Sequence, residues 1–311
     1  MPEPDYVWLP RESLLTFEEI GALVDAFTPL GVNRLRLTGG EPLLRRDLPV
    51  LIESLASRPA IADLALTTNG VLLRGQAREL RTSGLHRITV SLDTLHPDRF
   101  QRLTRMDGLQ SVLEGIEAAA AAGFAPLKLD TVLMRGVNDD EIVALLEYAK
   151  DVGAELRFIE YMDVGGATHW TGGAVISRRE MLDRIRAHYG AVLPLDERSS
   201  APADRFLLPD GTTFGIISST TEPFCASCDR SRLTADGVWL LCLYASTGTD
   251  LRRPLRAGAT REELQRLVQA VWSMRADRGA EERLGMDRET TLIPIRTLKR
   301  DAHLEMHTRG G

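Results

Sequence analysis

Through the first two thirds of the chain, short β-rich runs alternate with longer stretches of helical apolar periodicity. The short runs Arg34–Thr38, Asp63–Thr67, Arg87–Leu92, Leu127–Leu133 and Glu155–Tyr161 carry Val, Ile, Leu or Thr and are bounded by turn residues, so they read as strands. Between them Phe17–Thr28, Leu48–Ser57, Gln110–Ala122 and Glu141–Val152 read as amphipathic helices. Three helix starts carry a capping box, in which a hydroxyl and a Glu three residues on satisfy each other's end of the helix. They are Thr16 with Glu19, Ser177 with Glu180 and Thr260 with Glu263. Strand and helix alternating at this spacing predict an α/β fold on a parallel sheet, open or rolled into a barrel.

The rhythm breaks near Leu195. Residues 196–204 are polar and contain Pro and Ser, as a connector would. Arg205–Leu208 and Thr213–Ser218 follow, joined through Asp210-Gly211 as a hairpin, and a second pair flanks Asp236-Gly237. A last helix is predicted over Glu262–Arg275. The chain is therefore divided into residues 1–195, with the α/β repeat, and residues 196–311, a second lobe of short antiparallel strands.

Composition narrows the class. The 311 residues are 43% hydrophobic and 26% charged, as in a soluble globular protein. A net charge of −6 gives no general attraction to nucleic acid or to an anionic membrane. No apolar run reaches the length of a membrane span, and Met1 to Pro10 lacks the pattern of a signal peptide. The expected location is the cytoplasm, where the three cysteines would not form structural disulfides.

Those cysteines, Cys225, Cys228 and Cys242, are the strongest local signal, because a tight turn and a hairpin can bring three thiolates together. Three thiolates suit a 4Fe–4S cluster with one open iron. A zinc ion borrowing a remote His or Asp as fourth ligand is the alternative, and spacing leaves both open.

Thr38-Gly39-Gly40-Glu41-Pro42 follows a strand, where paired glycines let backbone approach a ligand; an ordinary turn uses the same residues. Thr67-Thr68-Asn69-Gly70 and Ser91-Leu92-Asp93 also end strands, and either bond a ribose or phosphate or cap a helix. Lys128 and Arg157 lie within apolar strands, where an unpaired charge is costly. With Arg34 and Arg36, which share a strand face, and with Arg230 and Arg232, they could line one pocket for a polyphosphate. Taken singly, each also fits a surface or salt-bridged residue.

Taken together and in order, these segments resemble a known family. Arg34-Leu-Arg-Leu-Thr-Gly-Gly-Glu-Pro-Leu43 resembles the Gly-Gly-Glu segment of radical S-adenosylmethionine (SAM) enzymes. Leu66-Thr-Thr-Asn-Gly70, Ile88-Thr-Val-Ser-Leu-Asp93, Arg157-Phe-Ile-Glu-Tyr-Met162 and the Cys225-x-x-Cys228-x-Arg230-x-Arg232 run with Cys242 resemble, more narrowly, the GTP 3′,8-cyclases of molybdenum cofactor synthesis. The resemblance extends from about Trp8 to the terminal Gly310-Gly311.

It implies a partial barrel of parallel strands, and contacts to SAM from Gly40, Ser91 and Met162. Arg36, Thr67 and Lys128 would contact GTP, with Arg157 in the same pocket and Arg230, Ser231 and Arg232 on the GTP side. The three cysteines would hold an auxiliary 4Fe–4S cluster whose open iron meets guanine. Gly310 and Gly311 would reach into the active site. The implied reaction is radical cyclisation of GTP to 3′,8-cyclo-7,8-dihydro-GTP, the product passing to cyclic pyranopterin monophosphate synthase, in a protein that forms homodimers.

One feature departs from that family. Its members begin with a strand and a Cys-x-x-x-Cys-x-x-Cys loop for the cluster that cleaves SAM, whereas no cysteine precedes Cys225 here. Five parallel strands are read where the family has six. The chain as given is therefore expected to be inactive, either from a start assigned downstream of the real one or from a true truncation. A non-catalytic binder of GTP and one cluster is the first alternative. Another radical SAM enzyme with an auxiliary cluster is the second, disfavoured because such enzymes usually carry more cysteines in the second lobe.

Overall fold

A computed structural model describes residues 7–164, 170–195, 200–286, 297 and 300–310. The chain alternates strand and helix: β1 (Arg34–Leu37), α2 (Leu48–Ala56) after α1 (Phe17–Phe27), β2 (Asp63–Thr68), α3 (Leu73–Thr82), β3 (Arg87–Ser91), α4 (Pro97–Thr104), α5 (Leu109–Ala121), β4 (Leu127–Leu133), α6 (Ile142–Asp151) and β5 (Ala154–Glu160). Then come α7 (Arg178–Tyr189), β6 (Leu193–Leu195), β7 (Asp204–Leu207) and β8 (Thr213–Ile217). One eight-stranded sheet results, in the order β1-β2-β3-β4-β5-β8-β7-β6. It is open, with β1 at one edge and β6 at the other.

Period-two alternation decides the sheet's two faces. Leu64 and Leu66, Ile88 and Val90, Leu127 and Leu129, and Leu156 and Phe158 pack with the helices into one core. Their strand neighbours Arg36, Thr67, Thr89, Lys128 and Arg157 point to the other, concave face. The helices seat closely: an added Cβ on Gly115 of α5 would come within 2.4 Å of the Gly70 carbonyl oxygen. All three capping boxes form, at Thr16, Ser177 and Thr260.

The hairpin through Asp210-Gly211 extends the main sheet. β7 and β8 pair antiparallel, as the turn requires, but β8 also pairs parallel to β5. The sheet thus runs through strands assigned from sequence to a second lobe, and a sixth parallel strand joins the five expected. Gly215 of β8 faces Arg157, where a Cβ would sit 3.2 Å from Arg157 Cγ, so the missing side chain leaves space for the arginine.

A separate antiparallel sheet, β11-β10-β9, consists of β9 (Arg232–Leu233), β10 (Val238–Leu240) and β11 (Thr249–Asp250). With α8 (Arg252–Arg256) and α9 (Arg261–Ser273) it packs on α1 through a second core. There the Trp239 and Phe27 rings meet edge-on, their centroids 5.2 Å apart. Among the described residues no helix is long and apolar enough to cross a membrane.

Candidate active site

The concave face is lined by charge. Arg36 donates to Thr67 Oγ1 at 2.8 Å and to Thr89 Oγ1 at 3.1 Å, crossing two strands. Lys128 stands beside Thr89 in register, and its Nζ is 3.9 Å from Glu155 Oε1. Arg157 Nε donates to the same oxygen at 3.1 Å, and Arg205 reaches Glu155 Oε2 at 2.8 Å. Arg87 is paired to Asp63. Cations therefore crowd a trough on this face of the sheet. Burial, with Arg157 next in weight, pushes the Lys128 ammonium down to about 8. Burial also pushes the Asp130 carboxyl up, against the opposing pull of Arg157, Arg36 and Lys128. Asp130 Oδ1 has no hydrogen-bond partner among the described residues, which leaves one acceptor for an incoming donor.

At the carboxyl end of β1 the chain turns through Gly39, at φ 138°, a region L side chains rarely adopt. Glu41 fastens this turn to the end of β2, accepting from Thr68 Oγ1 at 2.7 Å and from Asn69 N at 2.8 Å. A cleft of about 220 Å³ opens here, lined by Gly39, Gly40, Thr67, Asn69, Ser91 and the tail residue His307, among others. An added Cβ on Gly40 would meet the Trp8 ring at 3.0 Å. Trp8 in turn lies against His307, ring centroids 4.6 Å apart.

The tail is buried at this mouth. A Cβ on Gly310 would sit 2.1 Å from Thr38 Oγ1, so only glycine fits. Arg232 donates to the carbonyl oxygens of Arg309 and Gly310. Gly311 lies outside the described residues.

Next to the mouth is the cysteine hairpin. Glu160, fully buried at the end of β5, accepts from the amides of Thr220 and Thr221 and so fixes the loop that leads to Cys225. All three thiols are free and half-buried. Arg230 and Arg275 each approach Cys228 Sγ, at 3.5 and 3.6 Å, and the Tyr244 amide approaches Cys242 Sγ at 3.5 Å. Burial raises the Cys228 thiol, but the Arg230 amide and the two guanidiniums outweigh it and hold the thiol below its ordinary value. Such a setting favours thiolate, the form that binds iron. Among the described residues no three His, Cys, Asp or Glu converge as they would around a single ion.

The structure thus places Arg36, Thr67, Lys128 and Arg157 on the trough, and Gly40, Ser91 and Gly310 at its mouth. Arg232 reaches from the cysteine hairpin to the tail, and Arg230 stands against Cys228. Ser231 is exposed, and Met162 is half-buried just past β5. Sequence reasoning missed Arg87, Thr89, Asp130 and Glu155, which the same period-two alternation would have found. Trp8 and His307 carried no sequence signal, because they meet across nearly the whole chain.

Comparison with known proteins places this arrangement. Residues 5–149 match the model of the Radical SAM superfamily, and residues 154–281 match Molybdenum Cofactor Synthesis C. The chain is 55% identical over 315 residues to GTP 3′,8-cyclase 1 of Mycobacterium tuberculosis H37Rv, covering all of this chain and 88% of that one. It is 48% identical over 285 residues to the GTP 3′,8-cyclase of Acidothermus cellulolyticus, covering 89% of this chain and 78% of the relative. Among solved structures, a radical SAM methyltransferase from Sphaerobacter thermophilus aligns with a TM-score of 0.45 at 16% identity, over 56% of this chain and 54% of that one. By its 55% identity to the Mycobacterium tuberculosis relative over all of its length, the chain belongs to the GTP 3′,8-cyclase family of radical SAM enzymes.

Proposed function

We propose that this chain binds GTP in the trough and serves its radical cyclisation to 3′,8-cyclo-7,8-dihydro-GTP, the opening reaction of molybdenum cofactor synthesis. The observation that supports it best is the set of inward cations, Arg36, Lys128 and Arg157, gathered on the sheet face beside a glycine-lined cleft and a thiol hairpin. Arg36 and Lys128 bind the phosphates, with Thr67 beside them. Arg157, kept in place by Glu155 and given room by Gly215, completes the clamp.

Gly39 and Gly40 let the backbone approach SAM, Ser91 supplies a hydroxyl at the same cleft, and Met162 lies at the next strand end. Cys225, Cys228 and Cys242 would hold a 4Fe–4S cluster, with Arg230 and Arg275 offsetting thiolate charge. SAM, with the separate SAM-cleaving cluster of the family, would supply the radical chemistry at the ribose. Residues of this chain do the rest: Arg230, Ser231 and Arg232 flank the guanine side. The tail at Gly310 closes the mouth and excludes water.

These 311 residues contain three cysteines, all in the hairpin region. That trio fits one cluster, and GTP binding is tested apart from turnover. The test is calorimetric titration with GTP and with guanosine. GTP should bind at least tenfold more tightly, and Lys128→Ala should remove most of that difference. Equal affinity for the two would refute the phosphate clamp.

A further inference from the structure

The C-terminal segment is held by more than Arg232. His303 sits between two carboxylates: its Nε2 is 2.9 Å from Asp236 Oδ2, and its Nδ1 is 3.1 Å from Asp301 Oδ1. Both ring nitrogens thus face acceptors, an arrangement that the doubly protonated imidazolium satisfies and a neutral ring satisfies only by half. Asp236 is buried in the turn between β9 and β10, where Thr234 Oγ1 also donates to it at 2.6 Å. The backbone carbonyl of His303 accepts from Arg309 Nε at 2.6 Å, and Arg309 Nη1 reaches the Leu243 carbonyl, also at 2.6 Å. Fixing His303 therefore fixes Arg309, and Arg309 directly precedes the glycine seated against Thr38.

We propose that Asp236 and His303 form a latch that positions the C-terminal segment, so that Arg309 and Gly310 stay docked at the mouth of the trough. His303 is a positioning residue, acting through Arg309 and touching no substrate. Asp236 belongs to the hairpin that begins with Arg232 and runs on towards Cys242. One short hairpin therefore holds both the cysteine end of the site and its tail. The charged groups around the imidazole are Asp236 and Asp301, with Arg252 Nη1 4.0 Å from Asp236 Oδ2 and Arg309 bonded to the His303 carbonyl. The two carboxylates prevail, since the hydrogen bond that His303 donates to Asp236 leads the causes that raise its value. A raised folded value means the latch is strongest when His303 is protonated and loosens as pH rises through it. Only the purpose of the docked tail rests on the proposed function; the docking does not.

Limited trypsinolysis tests this without any turnover, because Arg309 is 5% exposed and its bond to Gly310 can be cut only when the tail leaves the mouth. Mass spectrometry follows cleavage after Arg309 relative to cleavage at internal arginines. His303→Ala should raise that ratio at least tenfold and should abolish its rise with pH seen in the unaltered chain. Asp236→Asn, isosteric and still an acceptor for Thr234, should raise the ratio severalfold and decides the matter if the alanine variant does not fold. Unaltered protection of Arg309 in the variants, or faster cleavage shared equally by the internal sites, would overturn the latch. GTP affinity measured on the same samples separates the two readings, since tail release with GTP affinity intact supports the latch whether or not cyclisation occurs.

Discussion

Lys128 and Glu155 stand in register on neighbouring strands with 3.9 Å between Nζ and Oε1, a near-contact inside a trough that otherwise gathers arginines. Glu155 serves three cations at once, Lys128, Arg157 and Arg205. Such a carboxylate keeps like charges together in the absence of substrate, at some cost to the fold.

Removing that carboxylate should be expensive. In Glu155→Gln three buried or half-buried cations lose their shared partner, and removing one partner of a buried ion pair costs roughly 3–5 kcal/mol. Urea unfolding should show a loss in that range at neutral pH. A loss below about 1 kcal/mol would mean that Lys128 and Arg157 are solvated rather than held.

Lys128 itself should trade stability for binding. Its folded value of about 8 lies below the ordinary lysine value, so the unfolded chain holds more proton across the interval between them. The charged lysine therefore costs the fold most below pH 8, and the cost fades as pH rises above it. Lys128→Met should stabilise the empty protein at pH 7 by up to about 3 kcal/mol and weaken GTP binding by at least tenfold. GTP affinity in the unaltered chain should decline from pH 7.5 to 9, and Lys128→Arg should flatten that decline.

Close helix packing gives a prediction independent of function. Gly115→Ala would drive a methyl group to 2.4 Å from the Gly70 carbonyl oxygen, a backbone atom that cannot rotate away. The expected loss is about 1–3 kcal/mol, read from the midpoint of thermal or urea unfolding, with no change in the ratio of GTP to guanosine affinity.

The cysteine hairpin predicts a stoichiometry. After anaerobic reconstitution the chain should hold about four irons, as one cluster on three thiolates requires. Cys242→Ser should abolish the associated visible absorbance. Iron retained at full stoichiometry in that variant would assign the ligands elsewhere.

What could be read in the sequence was whatever is written in local periodicity. The strands through Arg36, Thr67, Ser91, Lys128 and Arg157 follow from alternation and turn residues, and the capping boxes at Thr16, Ser177 and Thr260 from a spacing of three. The Asp210-Gly211 hairpin was legible too, but not the parallel pairing of β8 with β5, because register with a distant strand leaves no local mark. Asp130 and Glu155 are on the trough by the same alternation that placed Lys128, yet acidic residues look like ordinary surface in a sequence. The tail was the least legible part. Trp8 against His307, and Asp236 against His303, are contacts set by tertiary packing alone.

The most direct test of the central claim follows the ribose hydrogen. A chain preceded by a Cys-x-x-x-Cys-x-x-Cys segment, reconstituted and reduced, should be given SAM and GTP deuterated at C3′. The account predicts deuterium in the 5′-deoxyadenosine released and a cyclised product isomeric with GTP. Cleavage of SAM with no label transferred and GTP recovered unchanged would contradict it.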